Sequence, residues 1–252
     1  MAKAAKGPQP SPPANGYLTG SRRPLVVLGF VLPMLVAYEV GTFLLLREGR
    51  VGYEVECRVI AFNWVRSFFS SLGATGQLVA PLSVVGILLG WHIFSRQRWE
   101  LRPNLWLGMW IESVMLSIPL FVLGGLVAVL AQRGGAMWLV AVDGSVAAEA
   151  VLGLGAGVYE ELVFRLIAFA LLHLVLHDVI GISDAKALAV AVVASSLAFS
   201  GYHYLGDEPF AWQSFIFRST AGIWLGIVFL YRGYGISAGS HAAYDVILAL
   251  LR

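Results

Sequence analysis

Apolar residues run along the chain in long blocks, over 25–46, 78–94, 105–131, 146–176, 185–204, 210–231 and 236–251. About 20 apolar residues in a helix cross the hydrocarbon core of a bilayer, so these blocks predict seven membrane spans. Between the first two, "CRVIAFNWVRSFFSSL" alternates arginine with bulky apolar groups at roughly helical spacing. That pattern predicts an amphipathic helix lying in the membrane interface. Residues 1–24 are polar, basic and rich in proline, and they predict a disordered tail with no cleavable signal peptide. "QRGGAMWLVAVDGS" reads as a loop or shallow segment. The expected fold is therefore an all-α, polytopic transmembrane helical bundle of about seven spans plus one interfacial amphipathic helix. It divides into the tail (1–24), N-terminal membrane helices (25–145) and C-terminal core helices (146–252), with no internal repeat and no soluble domain.

Composition supports a membrane as the solvent. Of 252 residues, 58% are hydrophobic and 13% charged, where a soluble domain carries about 25% charged. The mean hydropathy is +0.78. Eight Trp and nine Tyr suit a chain with many membrane–water interfaces. The formal net charge of +2 excludes nucleic acid as an expected partner. The single cysteine, Cys57, excludes an internal disulfide and a four-cysteine metal site. With the N-terminus in the cytoplasm, nine Lys and Arg fall on the cytoplasmic side against six on the other. The expectation is a multi-pass protein of a bacterial inner membrane with a cytoplasmic N-terminus.

The fourth block carries ionisable residues where they are expensive. "GVYEELVFRLIAFALL", residues 157–172, holds Glu160, Glu161 and Arg165. Each charge at the centre of a membrane helix costs about 2.5–3.5 kcal/mol on insertion scales, so the three require partners, water or a purpose. Glu161 and Arg165 are four apart and can pair across one turn. Glu160 lies about 140° around the helix from Arg165 and points elsewhere. A structural network between helices would explain these three alone. Two further clusters favour chemistry: "LAFSGYHYLG" sets Phe199 and His203 four apart, and "GSHAAYDVIL" does the same for His241 and Asp245. Glutamate, histidine and a His–Asp pair on separate spans supply a base, a proton shuttle and hydrogen-bond donors, the parts needed to hydrolyse an amide. His173 and His177 also stand at metal-ligand spacing, but about 220° around the helix from Glu160. Glu39 and Glu112, alone on their spans, are expected to hydrogen-bond to neighbouring helices.

"EELVFR", "FSGYH" and "HAAYD" match EExxxR, FxxxH and HxxxN/D in that order. On these three motifs the stretch 146–251 resembles the CPBP intramembrane proteases, which include type II CAAX prenyl endopeptidases and bacteriocin-processing or self-immunity proteins. The resemblance implies that Glu160 activates water with His203 assisting. It implies that His241 and the residue at 245 stabilise the oxyanion, and that Glu161 and Arg165 support the site. Asp245, where the motif also allows Asn, cannot donate a hydrogen bond when ionised. It would have to be protonated, orient His241 or bind a cation. Glu160, His203 and His241 also form a two-histidine, one-carboxylate set able to take a divalent metal such as zinc. Without HExxH the sequence does not compel one. The implied substrate is a membrane-anchored or lipidated protein or peptide in the lipid bilayer. A transporter or channel with an ion or proton pathway, and a catalytically silent immunity or binding protein, are the competing classes. Paired half-repeats with broken helices, the mark of many transporters, are not evident. One geometric demand follows: if 210–231 fully crosses, His203 and His241 start from opposite sides. The fifth span must then continue past His203, or the sixth must tilt strongly.

Overall fold

The computed structural model describes residues 16–46, 59–132, 145–206 and 208–251, and every regular element among them is a helix. Helix α1 is Pro24–Leu45, with a proline at its first position, where no backbone N–H is needed. Helix α2 is Ile60–Ser71, α3 is Val79–Phe94 and α4 is Trp106–Gln132. The long α5 runs over Val146–Val179 and is capped by Ser145, whose hydroxyl accepts the Ala148 N–H. Helix α6 is Asp184–Tyr202, prolonged by a 3-10 turn at His203–Leu205. Helices α7 (Trp212–Arg232) and α8 (Tyr234–Leu250) complete the bundle.

Five helices, α1 and α4 to α7, are long and apolar enough to cross a membrane. Helix α3 is a shorter apolar helix, and the 17-residue α8 is buried along most of its length. The side of α4 turned away from the bundle shows why a bilayer is required. Leu107, Ile111, Met115, Ile118, Val122, Leu126 and Val129 are all exposed at three- and four-residue intervals. At 1.5 Å per residue this stripe is about 33 Å long, the thickness of a hydrocarbon core. The amphipathic α2 buries Ala61, Phe62 and Val65 and exposes Trp64 and Phe68. Phe62 packs with Tyr38 of α1 and Tyr159 of α5, ring centroids 5.8 and 5.1 Å away.

The expected N-terminal tail needs correction at its C-terminal end. Tyr17–Gly20 is a helical turn, and Pro24 already belongs to α1. Burial of this turn against α4 and α7 explains the difference: the Tyr17 hydroxyl reaches Glu112, and Arg232 reaches the Leu18 carbonyl. Residues 1–15, residues 47–58 with the first two positions of the expected amphipathic helix (Cys57 and Arg58), and residues 133–144 of the expected loop or shallow segment lie outside the described residues.

Two contacts bring α5, α7 and α8 close enough to share a site. A Cβ on Gly157 would stand 2.6 Å from the Ala238 carbonyl oxygen, and one on Gly153 would stand 2.5 Å from Asp245 Cβ. These glycines, four apart, let α5 and α8 approach backbone to backbone, as small residues do between membrane helices. Helices α7 and α8 are joined by Gly233 alone, at φ 81° and ψ 178°, a conformation essentially restricted to glycine. The reversal sends α8 back along α7.

Candidate functional site

Glu160 and Glu161 end the first α-helical part of α5; the backbone continues as a π-helix over Leu162–Ala168 before α-helix resumes at Phe169–His173. A π-turn closes one residue later than an α-turn and is frequent at functional sites. Glu161 is fully buried and surrounded by donors. Ser237 Oγ donates to Oε2 at 2.6 Å, His241 Nδ1 lies 3.1 Å from Oε1, and Arg165 Nε lies 3.5 Å from Oε2. Arg165 is equally buried; its Nη2 donates to the Gly222 carbonyl of α7 at 3.2 Å. Its Cζ lies 4.6 Å from the centre of the Phe199 ring. The Glu161–Arg165 pair expected from spacing is present, with a backbone carbonyl and an aromatic face sharing the cation.

Glu160 lies one residue away and meets a different set. Its Oε1 accepts the Tyr202 hydroxyl and lies 4.0 Å from His203 Nε2, while Oε2 lies 3.7 Å from His241 Nε2. Both imidazoles are held from behind. His203 Nδ1 is 2.8 Å from the Phe199 carbonyl, an acceptor, so this nitrogen donates and Nε2 is left toward Glu160. His241 Nδ1 donates to Glu161 in the same way, leaving its Nε2 between Glu160 and Asp245 Oδ2, the latter at 3.5 Å. Asp245 thus stands where it can orient His241. The Phe199 ring packs edge-on against both imidazoles, centroids 5.1 and 5.7 Å apart.

All six residues singled out in the sequence therefore meet around one centre: Glu160, Glu161 and Arg165 from α5, His203 after α6, His241 and Asp245 from α8. The demand on the two histidines is met by both neighbours. The helical path of α6 continues through His203–Leu205. After the turn at Gly233, α8 descends seven residues, about 10 Å, before it presents His241. The centre opens into a cavity of about 700 Å³, lined by Glu160, His203, His241 and Asp245 together with Arg218, Glu208 and Tyr244.

Three participants were not singled out from the sequence. Tyr202 touches Glu160 directly, and Trp64 of α2 and Phe164 pack on its ring at 5.5 and 4.8 Å. A tyrosine directly before His203 was the available signal. Ser237, one helical turn before His241, had a similar one. The third, Arg218, pairs with Glu208 across a segment whose path no local pattern fixes. His173 and His177 are engaged elsewhere, with Asp184 at 2.8 Å and the Ile182 carbonyl at 2.9 Å, at the junction of α5 and α6.

Glu160, His203 and His241 have the donor chemistry for zinc but do not fit the ion as placed. Tetrahedral ligands about 2.1 Å from zinc stand about 3.4 Å apart. Here the two imidazoles face different oxygens of Glu160 at 4.0 and 3.7 Å, and one of those oxygens already takes the Tyr202 hydroxyl. Among the described residues no group of three or more His, Cys, Asp or Glu is arranged to hold a metal.

Comparison with known families finds a match over the C-terminal part of the chain. The family model described as Type II CAAX prenyl endopeptidase Rce1-like matches residues 144–247, the stretch that holds α5 to α7, most of α8, and Glu160, Glu161, Arg165, His203, His241 and Asp245. The resemblance to CPBP and CAAX proteases therefore holds over that stretch, and the family is one of membrane proteases. No curated protein and no solved structure matches the chain.

Proposed function

We propose that the protein is an intramembrane endopeptidase that hydrolyses a peptide bond of a membrane-anchored or lipidated substrate, with Glu160 as the base that activates water. One observation carries this reading: the carboxylate of Glu160 faces two imidazole Nε2 atoms across gaps of 4.0 and 3.7 Å. Each gap is too long for a direct hydrogen bond and suited to a shared water. A water held between Glu160 and His203 gives its proton to Glu160 as its oxygen attacks the scissile carbonyl. The carbonyl oxygen becomes an oxyanion, which accepts a hydrogen bond from His241 Nε2–H in the cationic form of that imidazole. Glu160 then passes its proton to the departing amine, and the C–N bond breaks. Glu161 and Arg165 hold His241 and the α5–α7 contact, and Asp245 orients His241.

The chemistry resides in residues 146–251, with 25–145 supplying helices that bury and shape the site. We place the N-terminus on the cytoplasmic side of a bacterial inner membrane. The test is cleavage of a farnesylated peptide by the full chain in nanodiscs, together with a survey of protein termini in cells with and without intact Glu160. Loss of cleavage in a folded Glu160→Gln protein supports the assignment. Equal cleavage by the two proteins, or unchanged termini, overturns it.

A further inference from the structure

We infer that the arginine cluster between the start of α1 and the α3–α4 loop is a binding site for the phosphate of an anionic phospholipid. None of its residues lines the cavity that holds Glu160. Segments 16–23 and 95–105 hold Arg22, Arg23, Arg96, Arg98 and Arg102 and a single acid, Glu100. Three of the guanidinia converge on that carboxylate: Arg102 Nη2 at 3.0 Å, Arg98 Nε at 3.5 Å and Arg23 Nη1 at 3.6 Å. Three positive charges against one negative leave a surplus of two in the cluster. Glu112 is near, but its oxygens already take Arg232 and Tyr17. Residues 1–15 add Lys3 and Lys6 and no acid. The anion that offsets the surplus therefore comes from solvent or from the membrane.

The surroundings favour the membrane. Phe94, Trp99 and Leu101, which alternate with the arginines along the loop, are exposed at 88%, 66% and 60%. Leu18 of the N-terminal turn is exposed beside them. Indoles settle at the level of the lipid headgroups, and basic side chains at that level meet anionic lipid. A zwitterionic lipid brings its own cation and leaves the surplus uncompensated; a lipid of net negative charge does not. His92, at the end of α3, gives a second and independent sign. It is 1% exposed, and neither ring nitrogen has a hydrogen-bond partner among the described residues. An imidazole always carries at least one N–H, and a buried donor without an acceptor is costly. Arg96 turns the chain out of α3 at φ 48°, and Trp99 then lies edge-on to His92, ring centroids 4.5 Å apart. The indole that covers His92 is itself exposed, so a small swing admits a phosphate oxygen to the ring N–H. The same phosphate then takes the surplus guanidinium donors and ties the start of α1 to the α3–α4 loop.

The experiment sets phosphatidylglycerol against phosphatidylcholine of the same acyl chains. Both are offered to the full chain in detergent, and the lipid retained is counted by native mass spectrometry. The wild type is expected to prefer phosphatidylglycerol by about five- to thirtyfold, as two surplus charges near a membrane surface imply. Arg98→Gln with Arg102→Gln abolishes the preference, and Glu100→Gln, which removes the competing carboxylate, keeps or increases it. His92→Phe keeps a ring against Trp99 but loses the donor, and it lowers retention of phosphatidylglycerol by about tenfold. Arg66→Gln, on the amphipathic α2, leaves the preference unchanged, whereas a diffuse attraction to basic residues would respond to it as strongly as to Arg98→Gln. Equal retention of the two lipids by the wild type overturns the proposal. So does a preference that survives the double substitution, a His92→Phe protein that holds the lipid as well as the wild type, or an equal loss in Arg66→Gln. Inorganic phosphate in excess is expected to leave the lipid in place; displacement by it would assign the cluster to a free anion and overturn the lipid. If the double variant does not fold, Arg98→Gln decides alone, since that side chain is 86% exposed and its loss disturbs no packing; it should cut the preference about fivefold.

Discussion

Glu112 and Glu160 each accept a tyrosine hydroxyl, from Tyr17 and Tyr202 respectively, yet the rest of their surroundings differ. Glu112 is saturated. Arg232 donates to both of its oxygens through Nε and Nη2, and the same guanidinium reaches the Leu18 carbonyl at 3.2 Å and Ser21 at 3.0 Å. This cluster clamps the N-terminal helical turn to the end of α7, and its donors occupy both oxygens of Glu112. Around Glu160 the imidazoles stop short of contact and the cavity begins. An ionisable group in a membrane helix is thus structural when its neighbours use up its hydrogen bonds. It becomes a candidate for chemistry when its neighbours are themselves fixed but held back by about one water.

That contrast can be broken by mutation. The largest effect is expected at Glu160: Glu160→Gln should lower kcat about 10²- to 10⁴-fold, the range for a general base, with the melting temperature in detergent almost unchanged. Glu112→Ala should do the opposite. It strands Arg232 and costs about 1–3 kcal/mol of stability, seen as a lower melting temperature, while molecules that remain folded keep their cleavage rate. A Glu112→Ala protein that melts normally but does not cleave would reverse the two assignments. Tyr202→Phe removes one hydrogen bond to Glu160 while keeping the ring packed on Trp64 and Phe164. Its cost is about 1 kcal/mol, and kcat should fall no more than about tenfold. Rates measured across pH would register the altered Glu160, whereas a purely packing role for Tyr202 would leave the profile unmoved.

The smallest effect concerns Tyr17. Burial, and then the neighbouring Glu112 carboxylate, push its hydroxyl up to about 12, from about 10 in an unfolded chain. Its contribution to stability is therefore complete below about pH 10 and is lost as pH rises through about 12. The gap in melting temperature between wild type and Tyr17→Phe should stay constant up to about pH 10 and narrow above it. A gap that widens with pH would show that the hydroxyl is not held in its protonated form by this site.

Much of the fold was legible because membrane helices announce themselves by length. The block at 25–46 became Pro24–Leu45, and the block at 78–94 became Val79–Phe94. The four-residue spacings of Glu161–Arg165, Phe199–His203 and His241–Asp245 were equally visible, since one turn of helix joins each pair. Contacts made by distant segments were not. Nothing near Glu112 in sequence announces Tyr17 or Arg232, 95 and 120 residues away. Glu208 and Arg218 are only ten residues apart, but the bend between them has no periodicity. The π-helical stretch Leu162–Ala168 carries no residue pattern that would tell it from an ordinary α-helical turn. Residue types alone offered Glu160, His203 and His241 as a zinc set, but the spacing of such donors, wider here than a tetrahedral ion asks, is something composition does not encode.

The lone glycine at 233 has a mechanical consequence. With only one residue between α7 and α8, the end of one helix is tied directly to the start of the other. Membrane helices adjust their slope to the thickness of the surrounding lipid. If a change of slope in α7 reaches α8, the gap between His241 and Glu160 changes with the thickness of the lipid, and the proposed cleavage should run at different speeds in thin and thick membranes of otherwise matched composition.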